Sequence, residues 1–134
     1  MASSSRDFQR AAAQRLTAAE FLLKNRYNLD AMYLAGYTIE CSLKALILEA
    51  TPEADRKKTL AKIRSGKKMH NPELLAGLLK DLNRPVPLAI AKRFRASGWS
   101  TDLRYESGRT DTGGTRAFLK TAKAVYDWVE GQLL

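Results

Sequence analysis

The stretch Leu29–Ala50 constrains this chain more than any other. Met32, Gly36, Ile39, Leu43, Leu46 and Ile47 recur at helical spacing, and Leu34, Cys41, Ala45 and Leu48 cover much of the remaining circumference. A helix that is apolar nearly all round belongs at the buried centre of a bundle, so other helices have to surround it. Pro52 ends it, because proline has no amide donor and restricts the residue before it. One stripe departs from the pattern. Tyr33, Tyr37, Glu40 and Lys44 follow one another at intervals of four, three and four residues and therefore share a face.

The flanking sequence supplies the surrounding helices. Phe8, Ala12, Leu16, Ala19, Leu22 and Leu23, with Arg10, Gln14, Thr17 and Lys24 between them, predict an amphipathic first helix. Ser3, Ser4 and Ser5 offer N-cap hydroxyls, and Asn25 or Asn28 closes it. Between Pro52 and Asn71 the composition turns basic, with Arg56, Lys57, Lys58, Lys62, Arg64, Lys67 and Lys68, and Gly66 as a breaker. This predicts a mobile connector over about 52–70 with at most one frayed helical turn. Asn71 as N-cap, Pro72 as first residue and Glu73 open a helix that turns Leu74, Leu75, Leu78, Leu79 and Leu82 inward. A corner at Arg84–Pro87 leads to a short helix, Leu88–Arg95, stopped by Ser97 and Gly98. Trp99–Gly114 reads as loop, and Phe118, Ala122, Val125, Val129 and Leu133 mark a last helix from Thr115. No stretch alternates with the period of a strand. The expectation is one all-α domain over 1–134, an up-and-down bundle of about five helices. Trp99, Tyr126 and Trp128 are expected to anchor its core or a dimer interface.

Charge and cysteine usage narrow the function. Twenty-three Lys and Arg face 14 Asp and Glu, a formal +9, which favours polyanionic partners such as RNA, nucleotides or acidic protein faces. The single cysteine, Cys41, permits no intramolecular disulfide and is read as packing material in the central helix. With one histidine, neither a histidine pair for a metal nor a phosphate-cradling glycine motif is present, so no metal and no cofactor is expected. No run reaches the roughly 18 apolar residues of a membrane span, and the expected compartment is the cytoplasm.

The block Tyr33-Leu-Ala-Gly-Tyr-Thr-Ile-Glu-Cys-Ser-Leu-Lys-Ala-Leu-Ile-Leu48 resembles the second helix of HEPN domains. His70 ahead of Leu74, Leu75, Leu78 and Leu79, the pair Arg104-Tyr105 in a late stretch, and a closing aromatic helix with Phe118, Tyr126 and Trp128 are similar to the layout of that family. The resemblance implies a helical bundle like the substrate-binding subunits that accompany nucleotidyltransferases. It also implies frequent homodimers and contexts of toxin and antitoxin or drug resistance. Two modes occur in such a family. One is a metal-independent ribonuclease, in which an Arg and a His four to six residues apart meet at a dimer cleft. The other binds nucleotide, RNA or a partner protein without cleavage.

Three sets of residues are candidates for these roles. Arg64 and His70 satisfy the ribonuclease spacing: His70 would act as general acid or base and Arg64 would stabilise phosphorane charge. They sit mid-chain in a Lys-rich connector, whereas the ribonuclease motif lies late in the fold with a polar residue after its Arg; the default for His70 is capping or packing. Tyr37, Glu40 and Lys44, with His70, Arg104 and Tyr105, form a polar set that either lines a ligand site or is structural. Buried charge on a central helix needs partners, and Arg104 or Tyr105 are the expected ones. Lys57, Lys58, Lys62, Lys67 and Lys68, with Lys92, Arg93 and Arg95, are candidate phosphate or RNA contacts. The leading expectation is a non-catalytic module for nucleotide, RNA or a nucleotidyltransferase-like partner. The ribonuclease toxin and a structural subunit of a larger complex are the alternatives.

Overall fold

The structure is a computed structural model and describes residues 2–106 and 111–133; the side chains of Lys67, Arg104 and Tyr105 lie outside the described set. Among the described residues six α-helices follow in order: α1 Ser5–Lys24, α2 Asn28–Ala50, α3 Arg56–Ile63, α4 Pro72–Asp81, α5 Leu88–Ser97 and α6 Thr112–Gln132. Short 3-10 segments occupy Glu53–Asp55, Lys67–His70 and Thr101–Tyr105, and no strand occurs among the described residues. The all-helical bundle matches the expected class, with one helix more than the five read from sequence.

The three long helices form the frame. Ser5 of α1 bonds Glu49 at the end of α2, and Thr38 Oγ1 donates to the Ala12 carbonyl, so α1 and α2 run antiparallel. Gln9 Nε2 donates to the Tyr126 carbonyl and to Glu130, while Asn28 at the start of α2 donates to Thr112 at the start of α6. Hence α6 runs parallel to α2. As the pattern required, α2 is the centre, burying Ile39, Leu43, Leu46 and Ile47 against Phe8, Leu16, Phe118 and Val125. It is long and apolar enough, at a mean hydropathy of 1.2, to pass for a membrane span, yet 72% of that window is buried by its neighbours. α4 packs on α2 and α5 on α6.

Helix ends follow local chemistry. Ser4 caps α1, accepting from the Asp7 amide, and Asn71 caps α4, accepting from the Glu73 amide with Pro72 following. Gly98, at φ 66°, closes α5 in the left-handed region. Two expectations change. The connector contains α3, two turns rather than one frayed turn, because Leu60 and Ile63 sit three residues apart and face the core, with Ile63 fully buried. And α6 begins at Thr112, not Thr115: Asp111 Oδ2 accepts from the Gly114 amide at 2.7 Å, capping a first turn that the paired glycines had disguised as loop.

Candidate ligand-binding site

The stripe on α2 builds the site. Gly36 leaves a gap in the helix surface that Trp99 fills: a Cβ at position 36 would lie 1.9 Å from the Trp99 Cε2. The indole Nε1 donates to the Met32 carbonyl at 3.0 Å, so Trp99 is both seated and hydrogen-bonded. Tyr33 stacks beside it, with centroids 6.4 Å apart, and Tyr37 meets it edge-on at 5.7 Å. The two tyrosine hydroxyls lie 3.1 Å apart. This aromatic group fixes the segment that follows α5 against the centre of the bundle.

One turn further along α2 lies the polar part. The side chains of Glu40 and Lys44 are only 6% and 7% exposed, and Lys44 Nζ donates to Glu40 Oε2 at 2.9 Å. A buried pair of this kind persists only when its remaining valences are also met. The other carboxylate oxygen, Oε1, is 3.1 Å from His70 Nδ1. A carboxylate only accepts, so Nδ1 carries the hydrogen and Nε2 is left for another partner. Buried Met69, in the 3-10 turn before α4, and the Asn71 cap hold His70 at this point. The imidazole remains 48% exposed and meets Tyr37 edge-on at 6.4 Å. Sequence reasoning looked to Arg104 or Tyr105 to compensate the pair; among the described residues it is His70 that does so.

His70 and Trp99 form two sides of a cup of about 380 Å³, closed by Phe94 and Arg95 of α5 and by Ser100 and Thr101. Asn71, Pro72 and Glu73 at the start of α4 line its edge, with the Glu73 amide already bonded to the Asn71 side chain. Glu73 lies 3.8 Å from the Arg95 guanidinium, a loose pair between two exposed side chains. The cup thus offers an imidazole nitrogen, a guanidinium, hydroxyls and an aromatic wall. Arg95 was expected as a phosphate contact; Trp99 as a site wall was not, and only Gly36 on an otherwise large-residue helix face hinted at it.

Arg64 is exposed at the C-terminal end of α3, and its guanidinium makes no hydrogen bond or ion pair with the described residues. His70 is tied to Glu40 instead, and no hydrogen bond or ion pair joins Arg64 and His70. Lys57, Lys58, Lys62 and Lys68 are exposed and free of ion pairs among the described residues, as are Lys92 and Arg93. Arg56 instead closes α2, donating to the carbonyls of Thr51 and Glu49. Arg104, Tyr105 and Lys67 have side chains outside the described residues. Next to Glu40, burial pushes the Cys41 thiol up to about 11, with the Glu40 charge adding to it, so it is no nucleophile. Among the described residues no group of three His, Cys, Asp or Glu side chains is placed to hold a metal ion.

No curated protein and no solved structure matches the chain. A sequence-family model, that of the HEPN domain, matches residues 5–132, from the first residue of α1 to the last of α6. With that match over nearly its whole length, the chain belongs to the HEPN domain family.

Proposed function

We propose that this HEPN domain is a non-catalytic binding module for RNA or a nucleotide, with the His70 cup as its specific contact and the basic side chains of α3 and α5 as its phosphate track. One observation carries the reading: a buried ion pair fixes a half-exposed imidazole beside an aromatic wall and an arginine. Buried Glu40 sets the direction of the Nδ1–H, so Nε2 is presented to a ligand without an ordering cost. The exposed Lys57, Lys58 and Lys62 of α3 supply the sequence-independent part, which falls with salt.

The test is fluorescence anisotropy of a labelled single-stranded RNA, with ATP as competitor, over a range of salt concentrations. Replacing Lys57 and Lys58 by Glu is expected to weaken binding and flatten the salt slope by about two phosphate contacts. His70→Ala is expected to weaken binding at every salt concentration by a similar factor. Absence of binding at low salt removes the proposal and leaves a protein partner as the module's ligand.

A second reading, ribonuclease action by Arg64 and His70, is favoured by the Glu40–His70 contact, since a carboxylate behind an imidazole also orients a general base. The unpartnered, outward position of Arg64 and the tie of His70 to Glu40 place it second.

A further inference from the structure

α4 and α5 both rest on the core yet hardly meet each other, because α4 packs on α2 and α5 on α6. A cleft of about 610 Å³ runs between them. Its floor is Ile39, Leu43 and Val125, side chains of the main core that are at most 3% exposed. Gly77 and Phe94 face it from either wall, and Leu88 stands at the mouth 62% exposed to water. Charge is confined to the rim. Glu73 and Arg95 lie 3.8 Å apart and offset each other, which leaves Lys80, with no ion pair among the described residues, as the uncompensated cation.

We propose that this cleft binds a free long-chain carboxylate, its apolar chain lying between α4 and α5 and its head group on Lys80. The volume lies within the roughly 300–1,000 Å³ of small-molecule sites. The α4 residues that line the cleft run from Pro72 to Lys80, about 12 Å at 1.5 Å per residue. That is the scale of an extended acyl chain, whereas a stable protein partner needs about 800 Å² on each side. The apolar floor selects a hydrocarbon body, and the single unpaired rim cation selects one anionic head. The cleft shares Pro72, Glu73, Phe94 and Arg95 with the His70 cup, whereas Gly77 and Lys80 line the cleft alone, so variants at those two positions test this inference separately from the RNA-binding reading.

The experiment is titration calorimetry of the full chain with octanoate, decanoate and dodecanoate below their micelle concentrations, and with dodecanol. It compares the wild type with Gly77→Leu and Lys80→Glu. A Cβ at Gly77 meets nothing within 4 Å, and leucine is the better helix former, so Gly77→Leu fills the cleft without disturbing the fold. Each added methylene is expected to tighten binding about fourfold until the cleft is full. Gly77→Leu abolishes binding, and Lys80→Glu weakens the carboxylates about tenfold while leaving the alcohol unchanged. Circular dichroism checks that Gly77→Leu is folded; if it is not, the Lys80→Glu series alone decides. Absence of saturable binding, or binding indifferent to either substitution, overturns the proposal. So do binding seen only on anionic vesicles, and a dimer that Gly77→Leu dissociates, which would assign the cleft to a membrane or to a second copy of the chain.

Discussion

Replacing Gly36 by alanine is a one-methyl change that this fold should not accept. In an exposed helix the substitution stabilises by about 0.8–1.0 kcal/mol. Here the new Cβ would sit 1.9 Å from Trp99 Cε2 and 2.2 Å from its Cζ2 and Nε1, distances that no small adjustment relieves. The indole, 6% exposed, has to leave its seat and give up the hydrogen bond to the Met32 carbonyl. Losing a buried aromatic side chain costs about 3–5 kcal/mol. The hydrogen bond adds about 1 kcal/mol. Set against the helix gain, the net loss is about 3–5 kcal/mol, a large part of the roughly 5–15 kcal/mol that stabilises a domain of this size. Urea unfolding reads this as a lower midpoint at nearly constant slope. The sharper check is a double-mutant cycle: in a Trp99→Ala background, Gly36→Ala should become stabilising by up to about 1 kcal/mol. A Gly36→Ala single mutant as stable as the wild type would refute the placement of Trp99, and with it one wall of the cup.

Other perturbations probe separate parts. Glu40→Ala leaves Lys44 buried without its carboxylate and should cost about 3–5 kcal/mol in urea unfolding, while the joint change Glu40→Leu with Lys44→Met should recover most of that loss; a cost for Glu40→Ala near that of a surface change would contradict the pairing. Hydrogen bonds from Arg6 and then Gln9 hold the Glu130 carboxyl below its ordinary value. A carboxyl depressed on folding contributes stability above the unfolded value, about 4.3, that is lost as pH falls through the folded one. Thermal melts of Glu130→Gln should therefore fall less steeply with pH than those of wild type below about pH 4; identical profiles would argue against the α1–α6 clamp. With its thiol at about 11, Cys41 should resist iodoacetamide at pH 8 in the native protein and react on addition of urea; prompt native alkylation would show that it is not shielded.

What the sequence revealed depended on how local each signal is. The ends of α1 and α4 were legible because a cap is made by neighbours: Ser4 with Asp7, Asn71 with Glu73. The stripe Tyr33, Tyr37, Glu40 and Lys44 was legible because spacing alone puts it on one face. The partner of Glu40 was not, since His70 is 30 residues away and only the packing of α4 on α2 brings it in. The sequence of α3 reads as connector because Leu60 and Ile63 are its only large apolar side chains, too few for a period, and they hold the helix only when a core exists to receive them. The start of α6 falls in the stretch Trp99–Gly114 that reads as loop, because the helix cost of Gly113 and Gly114 is intrinsic, whereas the bond that offsets it comes from the Asp111 carboxylate. Trp99 was given the general role of an aromatic anchor, and no pattern names the glycine beneath it.

The central claim is that the His70 cup binds phosphate-bearing ligands without cleaving them. The direct test is a single incubation of labelled RNA in EDTA with wild type and with His70→Ala, recording anisotropy first and then running the same samples on a denaturing gel. The account predicts saturable binding by the wild type, weaker binding by His70→Ala, and intact RNA in every lane. RNA cleaved by the wild type and spared by His70→Ala would contradict it and make His70 a catalytic residue.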